Sequence, residues 1–147
     1  MKKVKLFTEK GIRIDKKVVD NLIEKLQKEL DFSIESLELN FVGSETIFEI
    51  HKNHLDHHAT TDIITFNYSG ESDSFDSEIF ISVPDAKENS KHYGVSIDNE
   101  LGRLIIHGLL HLLGYDDTIA SKKRKMKTLE NELVEKLNKY TKGLLIK

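Results

Sequence analysis

The sequence predicts an α+β fold, a mixed sheet of about four strands packed with about five helices, and three patterns carry that prediction. Short segments with alternating apolar residues occupy the first part of the chain. The run from Glu100 to Leu113 is apolar on nearly every side, which marks a central buried helix. The closing segment places Met126, Leu129, Leu133, Leu137 and Tyr140 on one stripe, the spacing of an amphipathic helix packed on the domain.

Taken in order, Val4, Leu6 and Phe7 suggest a first strand, and Val18, Val19, Leu22, Ile23, Leu26 and Leu30 then recur at helical spacing. In SLELNFV, Leu37, Leu39 and Phe41 alternate with polar residues, the pattern of a strand with one buried face. After Gly43, Ser44 is placed to cap a helix carrying Ile47, Phe48 and Ile50. TDIITFNY and EIFISV flank the turn-like SGESDSFDS and read as a hairpin or strand pair. A short helix follows Pro84, which a first helical turn tolerates, and ends near Gly94; Ser96 is then placed to cap the apolar helix.

Bulk properties limit the function. A chain of 147 residues with 38% apolar composition suits one domain, 1–147, with a real core. The absence of cysteine excludes disulfides and thiolate metal sites, so a metal here must be held by His, Asp, Glu or solvent. No apolar run approaches the roughly 20 residues of a membrane span. MKKVKLFTEK also lacks the apolar core of a signal peptide, so a soluble cytoplasmic protein is expected. The net charge of −3 argues against indiscriminate nucleic-acid binding and leaves only a local basic patch for that purpose.

The stretch HGLLHLLGYDD, His107 to Asp117, carries the chemistry. A buried imidazole needs a partner, and His107 and His111, four residues apart, fall on one helical face where both can point at one ion. Gly114 permits the chain to reverse after the last turn and swing Tyr115, Asp116 and Asp117 back toward the histidines. The bland alternative is a pair of satisfied core histidines with Asp117 capping the next helix, whose start Thr118 and Ser121 mark. Asp116 rivals Asp117 as ligand, or orients a histidine through a hydrogen bond. The spacing is that of the metzincin pattern H-E-x-x-H-x-x-G-x-x-H, with Gly108 at the catalytic glutamate and Asp117 at the third histidine. Loss of that glutamate weighs against a zinc peptidase.

The stretch more closely resembles the signature of the YbeY family, metal-dependent endoribonucleases of ribosomal RNA maturation, whose pattern is roughly H-G-x-L-H-L-x-G-Y-D-H. TTDIITFNY and SEIFIS are similar to the family's T-D-V-L-S-F and G-D-I-x-I-S strands. The resemblance implies a zincin-like single domain with one zinc ion on His107, His111 and Asp117, and no organic cofactor. It further implies metal-activated water acting on single-stranded ribosomal RNA, association with the small ribosomal subunit, and a part in ribosome quality control.

Two departures bear on mechanism. Asp117 stands where relatives commonly have histidine, and Zn²⁺ accepts Asp oxygen at similar distances. An anionic ligand lowers the effective charge felt by bound water, which predicts activity shifted toward alkaline pH and greater tolerance for Mn²⁺ or Fe²⁺. Leu55 stands where many relatives carry an arginine thought to assist catalysis. Arg103, four residues before His107 on the same face, is the candidate to hold a substrate phosphate instead; its alternative is a salt bridge to a nearby acid. Because Gly108 cannot act as a base, proton transfer falls to the activated water itself or to Asp116. A non-catalytic ribosome-assembly factor with a structural metal is the competing reading.

Other candidates rank lower. HKNHLDHH, with His51, His54, His57 and His58, offers a second metal site or groove lining, but reads more simply as a polar helix end and loop. KKRKMK, Lys122 to Lys127, offers cations to phosphates yet lacks the interleaved aromatics that stack on bases. Thr61 and Asp62 are placed to fix the entrance of a strand, near the metal cleft at most.

Overall fold

The computed structural model describes residues 3–53, 58–59, 62–68, 74–115 and 118–146. The elements run β1 (Val4–Thr8), α1 (Lys16–Leu30), β2 (Ser33–Val42), α2 (Ser44–Asn53), β3 (His58–Ala59), β4 (Ile63–Asn67), β5 (Ser74–Ser82), α3 (Val83–Tyr93), α4 (Ile97–Leu112) and α5 (Ala120–Leu137), closed by a 3₁₀ turn at Asn138–Tyr140. The α+β expectation holds, with four longer strands and the two-residue β3 added at an edge.

The sheet order is β1-β2-β5-β4-β3. β1 pairs parallel to β2 and β2 parallel to β5, whereas β4 lies antiparallel to β5 and β3 antiparallel to β4. Leu37, Leu39 and Phe41 of β2 and Phe75, Ile79 and Ile81 of β5 are all fully buried, because alternate side chains point to the face that the helices cover. That face packs against Leu22, Ile23 and Leu26 of α1 and the apolar body of α4 in one continuous core. The opposite face carries a smaller cluster, Val42, Ile47 and Ile64, beneath α2.

Local chemistry sets the ends of the helices. The Asp15 side chain accepts from Lys17 N at the start of α1, and Asp31 ends it in the left-handed region at φ 53°. Ser82 and Ser96 cap α3 and α4 through their hydroxyl oxygens; the Ser96 cap, Pro84 in the first turn of α3 and the left-handed Gly94 at its end fall where the sequence places them.

Two local expectations need correction. Ser44 lies inside the first turn of α2, where Glu9 accepts from Gly43 N at 3.0 Å and from the Thr46 hydroxyl, so a distant carboxylate supplies the cap. Phe48 is 62% exposed, because α2 turns only Ile47 and part of Ile50 to the sheet. α5 begins at Ala120, between the Thr118 and Ser121 that mark its start in the sequence, with Ile119 at its N-cap making no side-chain capping bond.

α4 is the central helix. Leu101, Leu104, Ile105, Ile106, Leu109, Leu110 and Leu112 are buried along it, each worth about 1.5–3 kcal/mol of gross stabilisation. Two glycines let it approach its neighbours closely. A Cβ at Gly108 would meet Ile79 Cδ1 at 3.0 Å and Ile63 Cδ1 at 3.2 Å, so glycine lets α4 lie directly on β4 and β5. A Cβ at Gly102 would fall well inside contact distance of Thr141 Cγ2. Gly102→Ala is therefore expected to cost about 1–3 kcal/mol in urea unfolding. Adding Thr141→Ser should recover most of the loss, since serine removes that methyl group but keeps the hydroxyl that donates to Asn138 O at 2.8 Å.

Candidate metal centre and its cleft

The end of α4 is built as the glycine after it suggests. Gly114 has φ 98°, and the chain closes with Gly114 N donating to His111 O and Tyr115 N donating to Leu110 O, both at 3.0 Å. These two bonds are the Schellman pairing, which satisfies the last carbonyls and turns the chain back along the helix. Asp116 and Asp117, the expected proton carrier and third ligand, lie outside the described residues, as do His54, Leu55, His57 and Thr61.

His107 and His111 meet as their spacing predicts: their Nε2 atoms are 3.1 Å apart. Two nitrogens held at about 2.0–2.1 Å by one tetrahedral ion are separated by about 3.3 Å, so the pair is close to the spacing an ion requires. The other nitrogen of His107, Nδ1, lies 2.5 Å from Glu130 Oε1. An ionised carboxylate only accepts, which assigns the proton to Nδ1 and leaves the Nε2 lone pair facing His111. This is the carboxylate–histidine arrangement that commonly orients a metal ligand.

Sequence reading missed Glu130. It sits on α5 between Met126 and Val134, and its side chain is 3% exposed. Besides His107, it receives Arg103 Nη1 at 2.6 Å and Lys127 Nζ at 3.2 Å. Burial alone would raise its pKa, but the hydrogen bonds from His107 and Arg103 and the nearby charge of Lys127 outweigh it and hold the carboxyl down at about 2. Arg103 also donates to Asn131 Oδ1 at 2.8 Å, so the salt-bridge alternative for this residue is realised.

A cleft of about 750 Å³ runs beside α4, reaching from His107 past Arg103 to Glu100. The start of β4 supplies Asp62 and the end of α3 supplies Asn89 and Tyr93; α5 forms the wall with Lys127 and Glu130. Asp62 therefore lines this cleft, and Asn89 Nδ2 donates to it at 2.8 Å. Glu100, read from the sequence only as the start of the apolar run, is 3% exposed. Among the described residues its Oε1 has no hydrogen-bond partner. Burial, and then the nearby charge of Asp62, raise its pKa to about 7 against the opposing charges of Arg103 and Lys127.

The donor set suits a divalent ion at His107 and His111: two imidazole nitrogens at near-ligand separation, with the proton of one fixed on its far side. No three His, Asp or Glu groups gather as a complete metal set among the described residues. No helix among them is long and apolar enough to cross a membrane. His51 lies in α2, at the polar helix end expected of HKNHLDHH. The basic run at the start of α5 is largely exposed, apart from the buried Met126 and the Lys127 contact with Glu130.

A family model described as "Endoribonuclease YbeY" matches residues 3–138. The chain belongs to the YbeY family. An "Endoribonuclease YbeY" of Chlorobaculum tepidum is 31% identical over 134 residues, covering 91% of this chain and 97% of the relative. Another, from Acholeplasma laidlawii, is 37% identical over 103 residues, covering 70% of this chain and 75% of its own. The solution structure of a Thermotoga maritima protein matches with a TM-score of 0.58 and 26% identity, covering 92% of each chain. The resemblance of HGLLHLLGYDD to the YbeY signature was thus a sound guide to the family, and the histidine pair lies where that signature falls on α4.

Proposed function

We propose that this YbeY-family chain is a metal-dependent endoribonuclease acting on single-stranded ribosomal RNA, in ribosomal RNA maturation and ribosome quality control on the small ribosomal subunit in the cytoplasm. His107, His111 and Asp117 hold the ion, zinc in the first instance with Mn²⁺ or Fe²⁺ able to replace it. The observation that supports this most is the opposed Nε2 pair at 3.1 Å, with His107 oriented from behind by a buried carboxylate. When bound, a divalent ion there supplies Lewis acidity to the phosphodiester and acidifies water.

The chain's own residues do the rest. Glu130 keeps the His107 proton on Nδ1, so that Nε2 always presents its lone pair. Arg103 commits Nη1 to Glu130 and Asn131, and its remaining guanidinium donors serve a phosphate oxygen in the cleft. Lys127, 62% exposed at the same wall, adds positive potential along the path of an RNA backbone. Asp116 is the group assigned to carry the proton released as the bond is cut.

The test is cleavage of a labelled single-stranded RNA. Chelation should abolish cleavage and added zinc should restore it, while His111→Ala and Asp117→Ala should fall to background. Unchanged cleavage after chelation and in both variants would remove the metal from the mechanism. No cleavage by metal-loaded parent would favour a non-catalytic assembly role.

A further inference from the structure

The cleft continues well beyond the histidine pair, and its far end has features that the metal chemistry does not use. Glu100 and His107 are seven residues apart on α4, a rise of about 10 Å, with Arg103 between them. That distance leaves room for a nucleotide beyond the phosphate. The Tyr93 ring, 66% exposed, lines the same cleft and offers a flat stacking surface. Glu100 offers a buried carboxyl oxygen with no hydrogen-bond partner among the described residues, an arrangement that costs free energy unless a ligand completes it.

We propose that the space between Glu100, Asp62 and Tyr93 is a subsite for one base of the RNA beside the cleaved phosphodiester, and that the Glu100 carboxylate reads a base presenting two adjacent N–H donors, as guanine does. The inference rests on the RNA-cleaving reading above. Tyr93 stacks on the base, Arg103 lies toward its phosphate, and Asp62 is held by Asn89 at the rim.

The protonation state sets the preference. Held up to about 7 by burial and by Asp62, Glu100 carries a proton in mildly acidic solution and both donates and accepts. The groups acting on it are Asp62 from the start of β4, Arg103 on its own helix, and Glu130 and Lys127 from α5. A neutral carboxyl both donates and accepts, so it pairs about as well with the ring N–H and carbonyl of uracil as with the acceptor–donor edge of adenine or cytosine. Once ionised, the carboxylate only accepts, and guanine alone offers it two adjacent donors, the ring N1–H and the amino group.

The test is fluorescence anisotropy of the full chain with short labelled oligo(U) RNAs carrying one central guanine, adenine or uracil, at pH 6 and pH 8.5, with probe integrity checked on gels. The parent should bind the guanine probe roughly tenfold tighter than the other two at pH 8.5, the discrimination of one good bidentate contact, and lose most of that at pH 6. Glu100→Leu should bind all three alike at both values. Glu100→Gln, which offers a single acceptor and does not titrate, should also bind all three alike at both. Equal binding of the three by the parent at pH 8.5, or a preference that survives in Glu100→Leu, overturns the subsite. If the RNAs bind alike and are still cleaved, only the subsite fails; if none binds, the RNA-cleaving reading fails with it.

Discussion

Replacing Glu130 with alanine is expected to lower stability by about 3–5 kcal/mol at neutral pH, the cost of removing one partner from a buried charge network. The carboxylate is 3% exposed and is the common partner of His107, Arg103 and Lys127, so its loss leaves a guanidinium that is 25% exposed and an imidazole that is 22% exposed without it. The pH dependence follows from its pKa of about 2, below the ordinary 4.5. A carboxyl lowered in the folded state contributes stability that is fully present above 4.5 and is lost as pH falls through about 2. That shift corresponds to about 3 kcal/mol. Urea unfolding at pH 7, 4 and 2.5 should therefore show parent and Glu130→Ala far apart at neutral pH and converging in acid. A gap that stays constant would mean that the charge network contributes little.

Glu100→Gln is expected to act in the opposite sense. Here the folded-state pKa of about 7 lies above the ordinary 4.5, so the parent is most stable, relative to a neutral side chain, below 4.5 and loses that advantage as pH rises through 7. The variant should match the parent near pH 4.5 and exceed it above pH 7 by up to about 3 kcal/mol. Thermal unfolding across this range reads the difference directly. A flat difference from pH 4.5 to pH 8 would show that Glu100 is ionised throughout.

Such a gain in stability on removing a charge is typical of groups retained for function, since a buried unpaired carboxylate serves no packing purpose. Glu100 and Glu130 line one cleft and are shifted in opposite directions, one by burial and the nearby charge of Asp62, the other by the donors gathered on it. Arg103 connects them, as it acts electrostatically on both.

What the sequence revealed, and what it hid, follows the range of the interactions. The α4 motif was legible because helical periodicity alone places His107 and His111 one turn apart, and because a left-handed glycine is a local requirement of the turn. The cap at Ser96 was legible for the same reason. Glu130 was not, because reading an amphipathic stripe means collecting apolar residues. Its signal was its place between Met126 and Val134, on a face that should otherwise be apolar. Glu100 was passed over because an acid in a first helical turn ordinarily faces solvent and favours the helix dipole. The parallel pairing of β2 with β5 and the Glu9 cap on α2 join distant segments, which a pattern confined to one segment cannot reveal.

The central claim is that His107 and His111 hold a metal completed by Asp117, and its most direct measurement is elemental analysis of tag-free protein after zinc is supplied and excess removed. About one zinc per parent chain is expected, with little in His111→Ala or Asp117→Ala and affinity about 10–100-fold weaker in Glu130→Gln. A parent that retains no metal would contradict the claim and leave the two imidazoles as a hydrogen-bonded pair within the fold.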